Sequence, residues 1–379
     1  MVLELINVTK NFGKFQLGPL SLTVNNKDVM VILGPTGSGK TTLINLIAGI
    51  LRPDNGKIIL NDIEIINQPI EQRRVGYVFQ DPSLFPHLNV YNNILFGLRR
   101  KERESKKKIA TIKKIIDDLD VDHLLNRKID ELSGGEKQKI SLARILVLNP
   151  QVILLDEPLS HIDLLARDRL RIELRSILRK QQIPTIYVTH FEEDIYALAD
   201  SIAFLNRGKI EERGTLEEIL NLSTRSSSPF FNKIISAGNY LTGEVTKCEN
   251  NLTEFKVGLN TLYTIGTFKP TSKIGVIVKH EDILLCKEKI KTSARNIVFA
   301  KIMDMVKADN MIDVYLKSGK MNIVSRITRS ASEDLGIVIG DYVYAIFKAS
   351  APHVIREEID INKDRVPTTK RRNGEEGEQ

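Results

Sequence analysis

The sequence predicts an α/β domain built on an open sheet with parallel central strands, followed by a smaller all-β domain. Three observations predict it. The apolar run Val29-Met-Val-Ile-Leu33 leads directly into Gly34-Pro-Thr-Gly-Ser-Gly-Lys-Thr-Thr42, and Leu43, Ile44, Leu46 and Ile47 then recur at helical spacing. Further short apolar runs, Val75–Phe79, Val152–Leu155 and Thr185–Thr189, alternate with helical stretches, as strands buried on both faces do. Beyond residue 229 the periodicity turns from helical to alternating, in Phe255-Lys-Val257, Val276-Ile-Val278, Met311–Leu316 and Tyr342–Phe347.

The chain has 379 residues, too many for one ordinary core, so two or three domains are expected. No run approaches the roughly 18 apolar residues of a membrane-spanning helix. The start, Met-Val-Leu-Glu-Leu-Ile, has neither a basic region nor an apolar signal core, and no export is expected. Two distant cysteines, Cys248 and Cys286, speak against a disulfide scaffold and suit a reducing compartment. The net charge of +7 raises nucleic acid as a partner, but the cations are scattered among acids and form no stripe. The densest run, Lys106-Lys-Lys108, opens a helix with Ile109, Ile112, Ile115, Ile116 and Leu119 at helical spacing, and reads as its solvated face.

Taken in order, residues 2–33 read as strands: Leu3–Val8, Gly18–Leu20, Leu22–Val24 and the run into the glycine-rich loop. Phe12 can stack on a purine or pack on the core. The loop has the G-x-x-x-x-G-K-[ST] pattern in its required strand–helix setting. Gly34, Gly37 and Gly39 let the backbone aim N–H groups at one anion, and Pro35, Thr36 and Ser38 complete the curl. The positive helix end reinforces this. Lys40 is placed to reach β/γ-phosphates, and the Thr41 hydroxyl, followed by Thr42, to ligate Mg²⁺.

Gln80 leaves the carboxyl end of its strand, where open α/β sheets bind ligands, and can reach Mg²⁺ or an attacking water. Leu132-Ser-Gly-Gly-Glu136 opens another helix; Ser133, Gly134, Gly135 and Glu136 make either a second anion site or a plain capped helix. Asp156 and Glu157 end an apolar strand, one carboxylate suited to hold Mg²⁺ and the next to polarise a water. Adjacent buried carboxylates are costly without a cation. His190 ends the strand Thr185–Thr189, in line with Gln80 and Asp156.

In this order, Phe12, Gly34–Thr42, Gln80, Leu132–Glu136, Val152–Glu157 and His190 resemble the ATP-binding subunit of ABC transporters. The resemblance covers residues 1–222. It implies an α/β P-loop NTPase with a helical subdomain at about 81–148, ATP and Mg²⁺ as cofactors, and Glu157, His190 and Gln80 as catalytic residues. Phe12, the 34–42 loop and residues 133–136 would bind nucleotide, and Thr41, Gln80 and Asp156 the metal. It further implies a homodimer, head to tail, in which the 133–136 segment of one copy closes over the ATP of the other. The family's Ser-Ala-Leu-Asp turn reads Ser160-His161-Ile162-Asp163 here, with His161 a departure.

Residues 223–236 read as a polar linker, 237–358 as the β-domain and 359–379 as a disordered tail. Gly275–Lys279 with Ile283–Leu285 echoes Ala345–Lys348 with His353–Ile355, so two small barrels, about 237–290 and 291–357, are expected. Thr292-Ser-Ala-Arg-Asn296, Ile327-Thr328, Leu335-Gly336 and Phe347-Lys-Ala-Ser350 resemble the Mop/TOBE module that binds molybdate or tungstate. That assigns Ser293, Arg295, Thr328, Lys348 and Ser350 to a tetrahedral dianion, with Ala331 where the family often has serine. The expectation is an ATP-driven importer motor, peripheral on the cytoplasmic face of the membrane and regulated by molybdate or tungstate. Its partners would be transmembrane permease subunits and, indirectly, an extracytoplasmic oxyanion-binding protein; no nucleic acid is involved. Import of sulfate, sugar, polyamine or iron, or a soluble ATPase without transport, are the alternatives.

Overall fold

The computed structural model describes residues 2–216, 218–219, 238–308 and 310–358. The expected linker lies outside them, and so does the expected tail. The chain divides into two compact units, Met1–Ala237 and Gly238–Gln379.

The first unit contributes strands β1 (Leu3–Asn11), β2 (Gln16–Val24), β3 (Val29–Leu33), β4 (Asn55–Leu60), β5 (Ile63–Glu64), β6 (Val75–Val78), β7 (Val152–Asp156), β8 (Thr185–Val188), β9 (Ser201–Asn206) and β10 (Lys209–Thr215). Among the described residues its α-helices are α1 (Lys40–Ala48), α2 (Val90–Leu95), α3 (Arg100–Arg103), α4 (Lys106–Leu119), α5 (Gly134–Leu146), α6 (Leu164–Gln181) and α7 (Glu192–Leu198). A four-stranded antiparallel sheet runs in the order β2-β1-β4-β5, and a six-stranded sheet in the order β10-β9-β3-β8-β7-β6. In the second sheet β3, β6, β7, β8 and β9 are parallel and β10 closes the edge antiparallel.

The central strands are continuously apolar because both faces are covered: every residue of β3, β7 and β8 is buried. Leu43, Ile44, Leu46 and Ile47 of α1 pack with Leu3, Leu5 and Val8 of the first sheet and Ile32, Leu154 and Val188 of the second in one core. The two strands expected at 18–20 and 22–24 are a single strand, β2; its pairing with β1 steps from Leu17 to Leu20, and Pro19, which has no N–H to donate, is passed over. Helix α4 buries Ile112, Ile115, Ile116 and Leu119 as expected, but Ile109, in its first turn, is 51% exposed.

Among its described residues the second unit is all-β but for one short α-helix and a three-residue 3-10 turn at His280–Asp282. Its strands are β11 (Asn239–Glu249), β12 (Leu252–Val257), β13 (Asn260–Ile265), β14 (Lys273–Val278), β15 (Leu284–Cys286), β16 (Asn296–Ala308), β17 (Met311–Ser318), β18 (Met321–Thr328), β19 (Tyr342–Phe347) and β20 (His353–Glu358), with α8 (Arg329–Leu335) before β19. Two five-stranded sheets form, β13-β12-β11-β14-β20 and β15-β19-β16-β17-β18. The halves do not separate at residue 290. The trailing strand of each crosses over: β15 pairs with β19, and β20 pairs with β14. One apolar core, including Leu241, Phe255, Val276, Val298, Val314 and Phe347, serves both sheets. Each half is small for an independent core, and the exchange lets the two sheets share one.

Candidate functional site

Four neighbouring strands of the six-stranded sheet, β3, β8, β7 and β6, end side by side, and each delivers sequence-predicted residues there. From β3 comes the 34–39 loop, from β8 His190, from β7 Asp156 and Glu157, and from β6 Gln80.

The loop is bent around its glycines. Gly37 and Gly39 hold φ of +81° and +107°, and a side chain on Gly39 would stand 2.6 Å from Leu17 Cδ1. Helix α1 starts at Gly39 with no side-chain cap, so its first N–H groups face the loop's interior. Ser38 Oγ is buried there without a partner. Lys40 is 7% exposed, its Nζ donating to the carbonyls of Gly34 (2.8 Å) and Pro35 (3.1 Å). Burial lowers its pKa, while Glu157 and Asp156 work the other way. These are the features of an anion cradle: helix-terminal donors, a buried cation and a hydroxyl without a protein partner.

Asp156 lies beneath it, buried, and accepts hydrogen bonds from Tyr77 (3.2 Å) and Thr41. Burial raises its pKa, and Glu157 adds to the rise; the two hydroxyls and Lys40 oppose it. A carboxylate held against desolvation, beside the Thr41 hydroxyl and a second carboxylate, suits a hard cation with oxygen ligands. Glu157 follows with φ of +45° and its N–H on the Val188 carbonyl, a turn that sends its side chain to His190: Oε2 is 3.0 Å from Nδ1. Gln80 Nε2 reaches Ser160 Oγ at 3.4 Å, and Ser160 donates to the Glu157 carbonyl at 2.9 Å.

Phe12 does not pack into the core. It is 48% exposed, 6.4 Å from the ring of Phe15, the ring that would meet a side chain placed on Gly39. Ser133 caps α5 in a reciprocal box: Glu136 N donates to Ser133 Oγ (3.3 Å), and Ser133 N and Oγ both donate to Glu136 Oε2 (2.7 Å). Those bonds hold the Glu136 pKa down. Among the described residues, no hydrogen bond or ion pair joins residues 132–136 to the 34–42 loop. Gly134 instead lies by the His161 carbonyl.

Sequence reasoning missed several supports. Tyr77 OH lies within reach of Asn45 Oδ1 on α1 (3.3 Å) as well as Asp156, and its pKa is pushed far up by burial and that carboxylate. Arg73 clasps the carboxyl end of α1. Arg144 donates to the carbonyls of Pro82 (3.0 Å) and Ser83 (2.9 Å), tying the loop after Gln80 to α5. A polar residue inside an apolar strand was the only signal for Tyr77, and isolated cations gave none for the arginines.

In the second unit Ser293, Arg295, Lys348 and Ser350 are exposed around one strand end, where Asn296 pairs with Phe347. Thr328 is elsewhere. It pairs with Met311, itself opposite Ala308, at the other end of the 13-residue β16. Its hydroxyl already caps α8 by accepting from Ala331 N (3.1 Å). Ser330 turns to Asp334 (3.4 Å), and Ser332 is buried. One chain therefore does not gather the five expected donors, because strand register separates them.

The profile of the ABC transporter family matches residues 17–160, and that of the TOBE domain residues 292–354. A molybdate/tungstate import ATP-binding protein of Pyrococcus abyssi is 35% identical over 92% of this chain and 99% of its own length. The chain belongs to the ABC transporter ATP-binding proteins. A molybdenum import ATP-binding protein of Mannheimia succiniciproducens is 34% identical over 92% of this chain and 99% of its own. A spermidine/putrescine import ATP-binding protein of Clostridium acetobutylicum is 36% identical over 81% and 84%. The crystal structure of an ABC transporter's ATP-binding cassette in its ADP conformation superposes with a TM-score of 0.54 at 27% identity, covering 62% of this chain and 97% of that one. ABC membership makes this chain a nucleotide-binding ATPase coupled to transport. No helix among the described residues is long and apolar enough to cross a membrane.

Proposed function

We propose that this chain is the ATP-hydrolysing subunit of an importer for molybdate or tungstate. The observation that supports it most is the extent of the likeness: the relatives named for molybdate/tungstate import and for molybdenum import align through both units, to 99% of their own length. Phe12 stacks on the base, the 34–42 loop and Lys40 take the phosphates, and Lys40 turns to them from the Gly34 and Pro35 carbonyls. Thr41, Asp156 and Gln80 would hold Mg²⁺, whose charge offsets that developing on the γ-phosphate. Glu157 takes the proton of the attacking water, and His190 orients Glu157 from its other side. The 132–136 segment, which no described hydrogen bond or ion pair joins to the 34–42 loop of its own chain, completes the ATP site of a second copy. Permease subunits carry the cargo, an extracytoplasmic binding protein delivers it, and this chain sits on the cytoplasmic face.

Arg295 and Lys348, with Ser293 and Ser350, form the cationic half of an oxyanion site, and Thr328 of a neighbouring copy supplies the other half. Occupied by accumulated cargo, the site favours the resting dimer, with a coupling of about 5- to 150-fold in affinity. Calorimetry on the full-length chain tests this with tungstate, molybdate, sulfate and spermidine. Tungstate and molybdate should bind at micromolar levels, and Arg295→Ala and Lys348→Ala should each weaken them. Binding of spermidine alone would transfer the cargo to the polyamine class. No binding of any oxyanion would reduce the second unit to a spacer.

A further inference from the structure

Arg167 stands in the first turn of α6, where the positive end of the helix dipole disfavours a cation. Specific contacts hold it there. Its Nη2 donates to the carbonyls of Ile162 (2.7 Å) and Ser160 (3.4 Å), so the guanidinium spans the 160–163 turn. Its Cζ lies 4.2 Å from the ring centroid of Phe191. Its buried Nε has no hydrogen-bond acceptor, which leaves the ring and the two carbonyls as the contacts that hold the guanidinium.

The Phe191 ring has a second neighbour, the imidazole of His190, with centroids 4.1 Å apart. His190 touches Glu157, and Ser160 Oγ returns to the Glu157 carbonyl. The contacts close a ring through Glu157, His190, Phe191, Arg167 and Ser160. Phe191 is also fixed from below. Its N–H donates to Thr189 Oγ1 (3.1 Å), Thr189 donates to Asp194 (2.6 Å), and that buried carboxylate also takes Tyr187 OH (2.9 Å) and Arg171 Nε (2.6 Å). The backbone at 191 is anchored. Of the ring's links, the Arg167–Phe191 stack is held by neither a hydrogen bond nor the chain itself, and is the one most easily opened.

We propose that Arg167 and Phe191 are positioning residues that bind the 160–163 turn to the His190 imidazole, so that displacing the turn draws His190 off the Glu157 carboxylate. This rests on the reading above, in which Glu157 and His190 serve hydrolysis. A contact at Gly134, beside the His161 carbonyl, would thereby reach the water-activating carboxylate.

The test uses the full-length chain. Phe191→Leu keeps bulk without a π face, Phe191→Tyr keeps the face, and Arg167→Gln removes the cation. Arg169→Ala, whose side chain pairs with Glu173 on the exposed side of α6, is the control. Phe191→Leu and Arg167→Gln should each lower kcat by about 3- to 30-fold, the scale of one lost cation–π contact, with KM for ATP within about twofold. The double variant should be no slower than the slower single one, Phe191→Tyr should keep wild-type kcat, and Phe191→Leu should speed amide exchange in the 160–163 turn. Wild-type kcat in both variants, an equal loss in Phe191→Tyr, or additive losses would overturn the proposal. If Phe191→Leu does not fold, Arg167→Gln decides, by its kcat and by amide exchange at 189–191. The exchange experiment needs no ATP. A wild-type chain without ATPase activity would therefore sink the functional reading while leaving the stack to be judged alone.

Discussion

Replacing Arg73 by methionine should destabilise the first unit more than any exposed cation could. Arg73 is 4% exposed and donates four hydrogen bonds: Nε to Gln68 O (3.0 Å), Nη1 to Leu46 O (3.2 Å) and Ile47 O (3.1 Å), and Nη2 to Ile66 O (2.7 Å). Two of those acceptors are the last-turn carbonyls of α1, the helix that presents Lys40 and Thr41, and a cation there also meets the negative end of the helix dipole. Burial lowers its pKa, yet a guanidinium stays charged. Charge-assisted bonds are worth roughly 1.5–3 kcal/mol each when lost singly, but methionine refills part of the volume and removes a desolvated charge. The net loss is about 3–5 kcal/mol, the scale of removing one partner from a buried polar cluster. At about 2–4 °C per kcal/mol for a unit of this size, the calorimetric transition of the first unit should fall by roughly 6–20 °C.

Gly49 supplies an internal check. At φ +88° its added Cβ would stand 2.5 Å from Arg73 Cζ, so Gly49→Ala displaces the same guanidinium. Beside Arg73→Met, only the left-handed backbone penalty of about 1–2 kcal/mol remains to Gly49→Ala. A fall under about 3 °C for Arg73→Met, or full additivity with Gly49→Ala, would refute the reasoning.

Three further outcomes follow from the site. Glu157→Gln should slow ATP turnover by about 10²- to 10⁴-fold while ATP binding, read by thermal shift, persists; equal loss of both would deny Glu157 its role. Lys40→Ala should abolish nucleotide binding, and a mixture of Lys40→Ala with Ser133→Arg chains should regain ATPase activity that neither has alone, since one paired site then carries both lesions and the other none. Glu136→Gln should remove a stabilising contribution that wild type has above the ordinary value of 4.5 and loses as pH falls through its lowered native pKa. The melting temperatures of the two proteins should therefore converge in acid, and a gap that widens there would contradict the capping box.

The phosphate loop was legible because its chemistry is contiguous: a strand, three glycines, a lysine and a hydroxyl within nine positions need no distant partner. Gln80, Asp156, Glu157 and His190 could be picked out because each ends an apolar run, and parallel strands buried on both faces leave only their ends to carry polar groups. Arg73 could not be found this way, since its acceptors at Leu46 and Ile47 come from another element. Nor could the exchange of β15 and β20 be foreseen. The sequence shows a weak internal repeat, but which sheet each trailing strand joins depends on which edge needs covering.

Sequence alone thus determined the local chemistry and the class of each unit, because periodicity and turn residues act over a few neighbours. Tertiary structure decided what stands next to what. Strand order set the four site residues in a row, register parted Thr328 from Arg295 and Lys348, and packing laid Arg167 on Phe191. Those outcomes come from burying faces together across the whole chain, a balance that no single stretch contains.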